Sequence, residues 1–150
     1  MFTDYELEYL SGQHLGRLAT AAPDGTLQVS PVGFGVNESL GTIDIGGYNM
    51  ERSRKFRNVR DNGRVAFVVD DVYSTDPWRV RFLEIRGTGE ALADPEDSRG
   101  HAGAGPIIRV YPARILTLAL LPGDLDTEPH LVGMRSRDVG VARTEGRQTG

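Results

Sequence analysis

The stretch from Thr42 to Asp71 constrains this chain most, because it joins two strand patterns through a glycine pair and a strongly basic segment. Thr42–Ile45 alternates in character and predicts a strand that ends at Gly46-Gly47. Asn62-Gly63 has the chemistry of a turn and leads into Val65–Val69, which is apolar enough for a buried strand. The sequence therefore predicts two strands joined by a short basic helix.

The basic segment reverses the sign of a chain whose net charge is −4. Between Arg52 and Arg64, six cations stand beside one acid, Asp61. These cations are Arg52, Arg54, Lys55, Arg57, Arg60 and Arg64. Glycine-rich turns and helix N-termini supplied with cations can hold phosphate groups, so a phosphate-bearing ligand is one hypothesis for this segment. The alternative is a solvated basic face of a short helix.

Two segments of the chain have residue spacings typical of a helix. Phe56 and Val59 lie three residues apart and would face the core if residues 51–60 are helical. Thr3 and Glu6 have the spacing of a capping box, which predicts a helix over residues 4–11 that Gly12 ends.

The first strands form a predicted hairpin. Leu15–Ala22 and Thr26–Val36 flank Pro23-Asp24-Gly25, in which proline presets one dihedral angle and glycine accepts a positive φ. Pro31 is expected to interrupt the second strand as an edge, a bulge or a bend.

The second half of the chain predicts three further strands. Asp70-Asp71 is expected to end the strand before it, with a loop over residues 72–78 and a long strand over Arg79–Leu92. Gly87 and Gly89 indicate a bulge or close packing in that strand. Residues 94–96 read as a loop or one helical turn, and Gly100–Pro106 as flexible or tightly turned. Two final strands, residues 107–110 and 114–121, are predicted on either side of Pro112.

These elements amount to a mainly β domain over residues 1–132, with six to seven antiparallel strands and two or three short helices. Several strands with bulge signals favour a closed or partly open barrel. Residues 133–150 are polar and glycine-rich and are expected to form a partly disordered tail.

The amino-acid composition narrows the range of functions that the chain can have. A pI near 5.4 argues against nucleic-acid binding, and no apolar run approaches the roughly 18 residues that cross a membrane. The absence of cysteine excludes disulfides and thiol chemistry, and without an export signal we expect a cytoplasmic protein. Histidines 14, 101 and 130 are too scattered to predict a metal site.

Four motifs in order carry a family resemblance. They are LGRLATAAPDGTLQVSPVGF from Leu15, RSRKFRNVRDNGRVAFVVDD from Arg52, FLEIRGTGEAL from Phe82 and IRVYPARI from Ile108. Their order and spacing, over most of residues 5–121, resemble the pyridoxamine 5'-phosphate oxidase-like family of flavin- and deazaflavin-binding split β-barrels. The short, arginine-rich chain is most similar to the actinobacterial branch that uses the deazaflavin coenzyme F420.

The resemblance implies a homodimer with the cofactor ring in a groove at the interface. Val29, Ser30, Pro31 and Val32 would flank the ring. The ribityl chain and phosphate would be faced by Asn49, Arg52, Ser53, Lys55, Arg57 and Asn58. The longer oxidases of pyridoxamine phosphate use C-terminal arginine and tryptophan contacts that have no counterpart here, so vitamin B6 oxidation is not expected.

Three functions follow from the resemblance. The first is an F420-dependent oxidoreductase that transfers hydride between the cofactor and a small electron-poor substrate. The others are an FMN-dependent oxidoreductase of the same fold and a non-catalytic flavin or F420 carrier. No catalytic side chain is assigned, because the redox chemistry would belong to the cofactor.

Overall fold

The computed structural model describes residues 1–96 and 105–140, which form a curled antiparallel sheet with three short α-helices. The strands are β1 Leu15–Ala21, β2 Leu27–Gly33, β3 Gly35–Asn37, β4 Thr42–Ile45, β5 Arg64–Thr75, β6 Trp78–Leu92, β7 Ile107–Leu118 and β8 Arg135–Asp138. The helices are α1 Asp4–Ser11, α2 Arg54–Asn62 and α3 Pro122–Leu125, with 3₁₀ turns at Met50–Arg52 and Pro129–Leu131. The expected mainly β class is confirmed, and the short β8 adds to the predicted strands.

The order of strands shows how the sheet closes. It runs β2-β1-β5-β6-β7-β4-β3, with β8 paired to the second half of β7. The two edge strands of this order, β2 and β3, are separated along the chain by Phe34 alone. The sheet must therefore curl until its edges meet, which is the geometry of a split β-barrel.

The barrel interior is filled by one face of the sheet. Leu18, Phe67 and Ile85 occupy one row across β1, β5 and β6 and are almost completely buried. The rings of Phe34 and Phe67 meet edge-to-face with centroids 5.4 Å apart, so the residue that joins the two sheet edges also packs in the core.

Helix α2 closes one end of the barrel. Phe56 and Val59 are buried in the core, as their spacing predicts. Gly63 adopts φ +67° and ends the helix, and its carbonyl accepts a hydrogen bond from Gly89 N at 2.9 Å. The predicted turn at Asn62-Gly63 is thus confirmed, and it attaches the end of α2 to β6.

For Pro31 the predicted edge strand is confirmed, whereas the separation of two strands at Pro112 is wrong. Pro31 does not interrupt β2: it lies opposite Arg17 in an unbroken register, and the break comes at Phe34. An edge strand has one side without ladder partners, which is why proline is tolerated there. Pro112 likewise lies within a single strand, β7, opposite Gly87 at a register shift. A Cβ on Gly87 would lie 2.0 Å from Tyr111 O, so the expected close packing at Gly87 is confirmed.

The loop predicted over residues 72–78 is also wrong. Strand β5 continues to Thr75 and β6 begins at Trp78, leaving only a turn with a cis Asp76-Pro77 peptide bond. This hairpin extends beyond the core, so its side chains no longer alternate between apolar and polar. Because that alternation is what identifies a strand in a sequence, the two strands could not be recognised here.

Part of the predicted tail is ordered. Arg135–Asp138 forms β8, and Arg137 of this strand makes an ion pair with the buried Glu6 of α1. The disorder expected further on falls on residues 141–150, and most of the predicted Gly100–Pro106 turn falls on residues 97–104, all outside the described residues. In the described part of the chain, no helix has the length and apolar character needed to span a membrane.

Candidate functional site

The N-terminus of α2 is built by the short turn that precedes it. Asn49 adopts a left-handed conformation (φ +53°) and starts the 3₁₀ turn, and Met50 anchors that turn in the core. Ser53 then caps α2: its Oγ accepts a hydrogen bond from Phe56 N at 3.2 Å and donates one to Met50 O at 2.6 Å. The first turn of α2 is therefore fixed in direction, and its end carries the partial positive charge of a helix N-terminus.

The cations predicted to bind phosphate stand around this helix end. Arg52 and Arg57 are exposed and Lys55 is half-buried. None of the three forms an ion pair with a carboxylate within residues 1–96 and 105–140, whereas Arg17, Arg81 and Arg109 each pair with an aspartate. The segment therefore presents positive charge that the described part of the protein does not neutralise.

Asn58 links α2 to the β1–β2 hairpin. It is buried, and its Nδ2 donates to Thr20 Oγ1 at 3.1 Å and to Gln28 Oε1 at 3.4 Å. These bonds hold the basic helix against the strand that contains the other predicted contacts. A direct contact between Asn58 and a cofactor stays a prediction, because its amide nitrogen already serves this link.

The four residues predicted on β2 do not share one face. Val29 and Pro31 are exposed on the outer face of the sheet, while Val32 is buried and Ser30 lies opposite the buried Leu18. Alternation along a strand separates them, so a flat ring would meet all four only through the backbone. Ser30 Oγ is buried and has no hydrogen-bond partner in the described residues. A buried hydroxyl without a partner carries a desolvation cost that no contact among the described residues offsets.

The outward side of the sheet carries apolar side chains among the ion pairs Arg17–Asp70 and Arg86–Glu84. Leu15, Leu27 and Val29 are exposed on β1 and β2, and Val68 and Phe82 are half-buried on β5 and β6. Exposed apolar surface bordered by charged residues can mark an interaction site in soluble proteins. We call the outward side of β1, β2, β5 and β6 the outer face.

Two cavities in the described part of the chain lie apart from the predicted cofactor contacts. One, of about 320 Å³, lies where β6 begins and β7 ends, and another, of about 360 Å³, runs beside Leu27, Asn62 and Ala66. Neither is lined by any of the ten predicted cofactor residues. No group of three or more acidic, histidine or cysteine side chains gathers as a metal site in residues 1–96 and 105–140.

Sequence reasoning missed a buried ion pair behind the glycine pair. Arg109 on β7 donates from Nε and Nη2 to the two carboxylate oxygens of Asp44 on β4, at 2.9 and 3.0 Å. The hydrogen bond to Asp44 raises the pKa of Arg109. The predicted strand over Thr42–Ile45 is confirmed as β4, and all four of its residues are buried, the polar ones included. The sequence signal for this pair was Asp44, a charged residue between two isoleucines. Its partner Arg109 lies 65 residues further along the chain, so the sequence did not reveal the pairing.

A second missed cluster joins α1 to the barrel. Tyr9 Oη donates to Asp71 Oδ1 at 2.7 Å, and Arg81 contacts both oxygens of the same carboxylate at 3.1 and 2.7 Å. Burial, reinforced by the bond to Asp71, raises the pKa of Tyr9. Burial alone would raise the pKa of Asp71, but the hydrogen bonds from Arg81 and Tyr9 outweigh it and lower that pKa. Asp71 is thus held as an anion that orients two neighbours.

Comparison with known proteins agrees with this geometry. The family model described as pyridoxamine 5'-phosphate oxidase matches residues 2–125. A 5a,11a-dehydrotetracycline/5a,11a-dehydrooxytetracycline reductase from Streptomyces rimosus is 46% identical over 139 residues, which cover 93% of this chain and 97% of the relative.

Solved structures share the fold at low identity. A conserved hypothetical protein from Mycobacterium tuberculosis has a TM-score of 0.59 at 19% identity, covering 77% of this chain and 83% of that one. A pyridoxamine 5'-phosphate oxidase-related, FMN binding protein from Nostoc punctiforme has a TM-score of 0.58 at 10% identity, covering 93% and 99%.

The chain belongs to the pyridoxamine 5'-phosphate oxidase family, as its motifs suggest. It is an oxidoreductase, and the expectation of an enzyme is confirmed. The ten cofactor contacts assigned by resemblance stay predictions.

Proposed function

We propose that this protein is a reductase that uses coenzyme F420 and transfers hydride to a conjugated, electron-poor ring system. The observation that carries the proposal is the set of unpaired cations at the fixed N-terminus of α2, which Asn58 holds against the β1–β2 hairpin. The reductase from Streptomyces rimosus, whose printed substrates are dehydrotetracyclines, supports this class of acceptor. FMN remains the alternative cofactor, and a carrier without turnover remains the alternative function.

The residues present fit the chemistry of this cofactor. Its phosphate and its carboxylate-bearing tail are anionic, and Arg52, Lys55 and Arg57 offer charge-assisted hydrogen bonds without an internal competitor in the described residues. When bound, F420 would supply the hydride. The chain would orient the ring along the backbone of β2 and exclude water with the apolar side chains around it.

The proposal includes a homodimer that forms through the outer face. Val68 lies in the middle of this face, between Arg17 on β1 and Glu84 on β6. Val68→Lys would bury a charge in such an interface, and we expect the sedimentation coefficient to fall to that of a monomer. Val68→Thr, which keeps the shape of the side chain, should remain dimeric. A protein that sediments as a monomer before any substitution would contradict a dimer.

The decisive test is a titration with both cofactors. We expect F420 to bind tightly and its reduced form to be reoxidised by a dehydrotetracycline, with FMN binding more weakly. Tight FMN binding with weak F420 binding would select the alternative cofactor, and tight binding without turnover would select the carrier.

The same titration tests the phosphate site. Each charged hydrogen bond lost from phosphate costs about 1.5–3 kcal/mol, so Lys55→Ala and Arg57→Ala should each weaken F420 binding by roughly tenfold to a hundredfold. Arg114→Ala is the matched control, since it removes an exposed arginine from β7. Equal affinities in all three variants would remove Lys55 and Arg57 from the site.

A further inference from the structure

The end of α2 carries the one asparagine-glycine pair of the chain. Asn62 is followed by Gly63, whereas Asn37, Asn49 and Asn58 are followed by glutamate, methionine and valine. The main-chain nitrogen after an asparagine can attack the carbonyl carbon of the asparagine side chain. Glycine has no Cβ to hinder that approach, so Asn62 is the asparagine of this chain that is most open to the reaction.

The fold engages the reacting groups of this pair in hydrogen bonds. Gly63 N, which would attack, donates to Val59 O at 2.9 Å. Asn62 Nδ2, which would leave, donates to Ala21 O on β1 at 2.7 Å, and Asn62 Oδ1 accepts from Arg64 N at 2.9 Å. The attack therefore requires the end of α2 to open, because the nitrogen and the side chain must both leave these partners.

The position of the pair makes such an opening local. Asn62 is exposed and is the last residue of α2, and Gly63 follows it as the cap with φ +67°. Helix ends open at free energies far below that of global unfolding. The rate of attack should therefore follow the fraction of time for which the end of α2 is open.

We propose that Asn62 is a site of spontaneous deamidation whose rate is set by local opening of the end of α2. Gly63 N forms a bond to Asn62 Cγ while the bond from Cγ to Nδ2 breaks, and ammonia leaves with the proton that Gly63 N loses. Water then adds across one of the two carbon–nitrogen bonds of the cyclic imide. Cleavage at the side-chain carbon gives aspartate, and cleavage at the main-chain carbon gives isoaspartate. The reaction needs no cofactor, so the inference is independent of the proposed function.

The product cannot restore the link between α2 and β1. A carboxylate at position 62 has no N–H to donate to Ala21 O. Its charge would also stand beside Asp61 and at a helix C-terminus, where negative charge is unfavourable. Isoaspartate lengthens the main chain next to Gly63, whose carbonyl accepts from Gly89 N. Deamidation should therefore leave the end of α2 persistently open.

The test follows the mass of the peptide that contains Asn62, because the exchange of NH₂ for OH raises it. The full chain is incubated at mildly alkaline pH, both folded and in guanidinium chloride. We expect Asn62 to be lost at least about tenfold more slowly in the folded protein, which corresponds to an opening free energy of about 1.4 kcal/mol. Asn58, which precedes valine on the same helix, is the internal control and should stay intact under both conditions.

A variant at Gly89 tests whether the opening is local. A Cβ on Gly89 would lie 2.8 Å from Val65 Cγ1 and 3.1 Å from Val59 Cγ1, so Gly89→Ala should loosen the end of α2. We expect the folded variant to lose Asn62 severalfold faster than wild type. Gly123→Ala, whose Cβ meets nothing within 4 Å, should match wild type.

Asn62→Asp reproduces one product directly. Its Gly63 amide should exchange hydrogen at least about tenfold faster than in wild type, because the end of α2 stays open. Unchanged exchange in Asn62→Asp would overturn the inference, and so would equal rates of Asn62 loss in folded and denatured protein. Intact Asn62 in the denatured chain, or equal rates in Gly89→Ala and Gly123→Ala, would overturn it as well.

Discussion

The ion pair between Asp44 and Arg109 offers the sharpest test of how this barrel is held together. Asp44 is completely buried, and the side chain of Arg109 is 9% exposed. Replacing Asp44 by leucine would leave the Arg109 cation buried without its partner, and breaking a buried pair in this way costs about 3–5 kcal/mol. Asn37 and Thr42 would lose an acceptor as well, since both donate to the Asp44 carboxylate.

The assay is urea unfolding followed by far-ultraviolet circular dichroism. At about 2–4 °C per kcal/mol for a chain of this size, Asp44→Leu should also lower the Tm by roughly 6–20 °C. Asp44→Asn keeps the volume of the side chain and provides a milder variant in case the leucine variant does not fold.

The double variant Asp44→Leu/Arg109→Met separates charge from packing. It removes both charges, so it should recover about 2 kcal/mol or more relative to Asp44→Leu alone. Full recovery is not expected, because the donors of Asn37 and Thr42 would remain without their carboxylate. A loss below about 1 kcal/mol in Asp44→Leu, or a double variant no more stable than the single one, would refute a net contribution from the paired charges.

Two further predictions concern stability. Gly87→Ala places a Cβ 2.0 Å from Tyr111 O and should lower the free energy of unfolding by about 2 kcal/mol or more. Gly123→Ala is the control, because its Cβ meets nothing within 4 Å and should change that free energy little. Equal unfolding midpoints for the two variants would contradict tight packing at Gly87. The raised pKa of Tyr9 stabilises the folded protein below the unfolded-state pKa of about 10, and this stability is lost as the pH rises further. Tyr9→Phe should therefore lose less stability than the wild type between pH 9 and pH 11, and parallel pH profiles would contradict the assignment.

The sequence predicts those parts of the fold that are determined by residues close together in the chain. The β1–β2 hairpin, the core face of α2 and the turn at Gly63 are each specified by a few neighbouring residues, and each is found. The outer half of β5 and the continuous β7 were not foreseen. Polar strands beyond the core lack the alternation that identifies strands, and Pro112 is accommodated by Gly87, a residue of another strand.

The candidate site divides in the same way. Its cations and its capping serine are adjacent in sequence, so the basic end of α2 could be predicted. The division of Val29 to Val32 between two faces follows from alternation along a strand and was also open to prediction. The link from Asn58 to Gln28 and the pairing of Asp44 with Arg109 depend on long-range register, which local patterns do not contain.

The pairing of β4 with β7 has a consequence during synthesis on the ribosome. Ile43 lies opposite Val110, so β4, which is buried in the folded protein, leaves the ribosome long before the strand that will pair with it. Until then β4 has only the three-residue β3 as a sheet partner among the described strands, and distant strand pairs of this kind form slowly. Nascent chains halted just before Ile107 should therefore be more prone to aggregation, or to capture by chaperones, than chains released after Leu118.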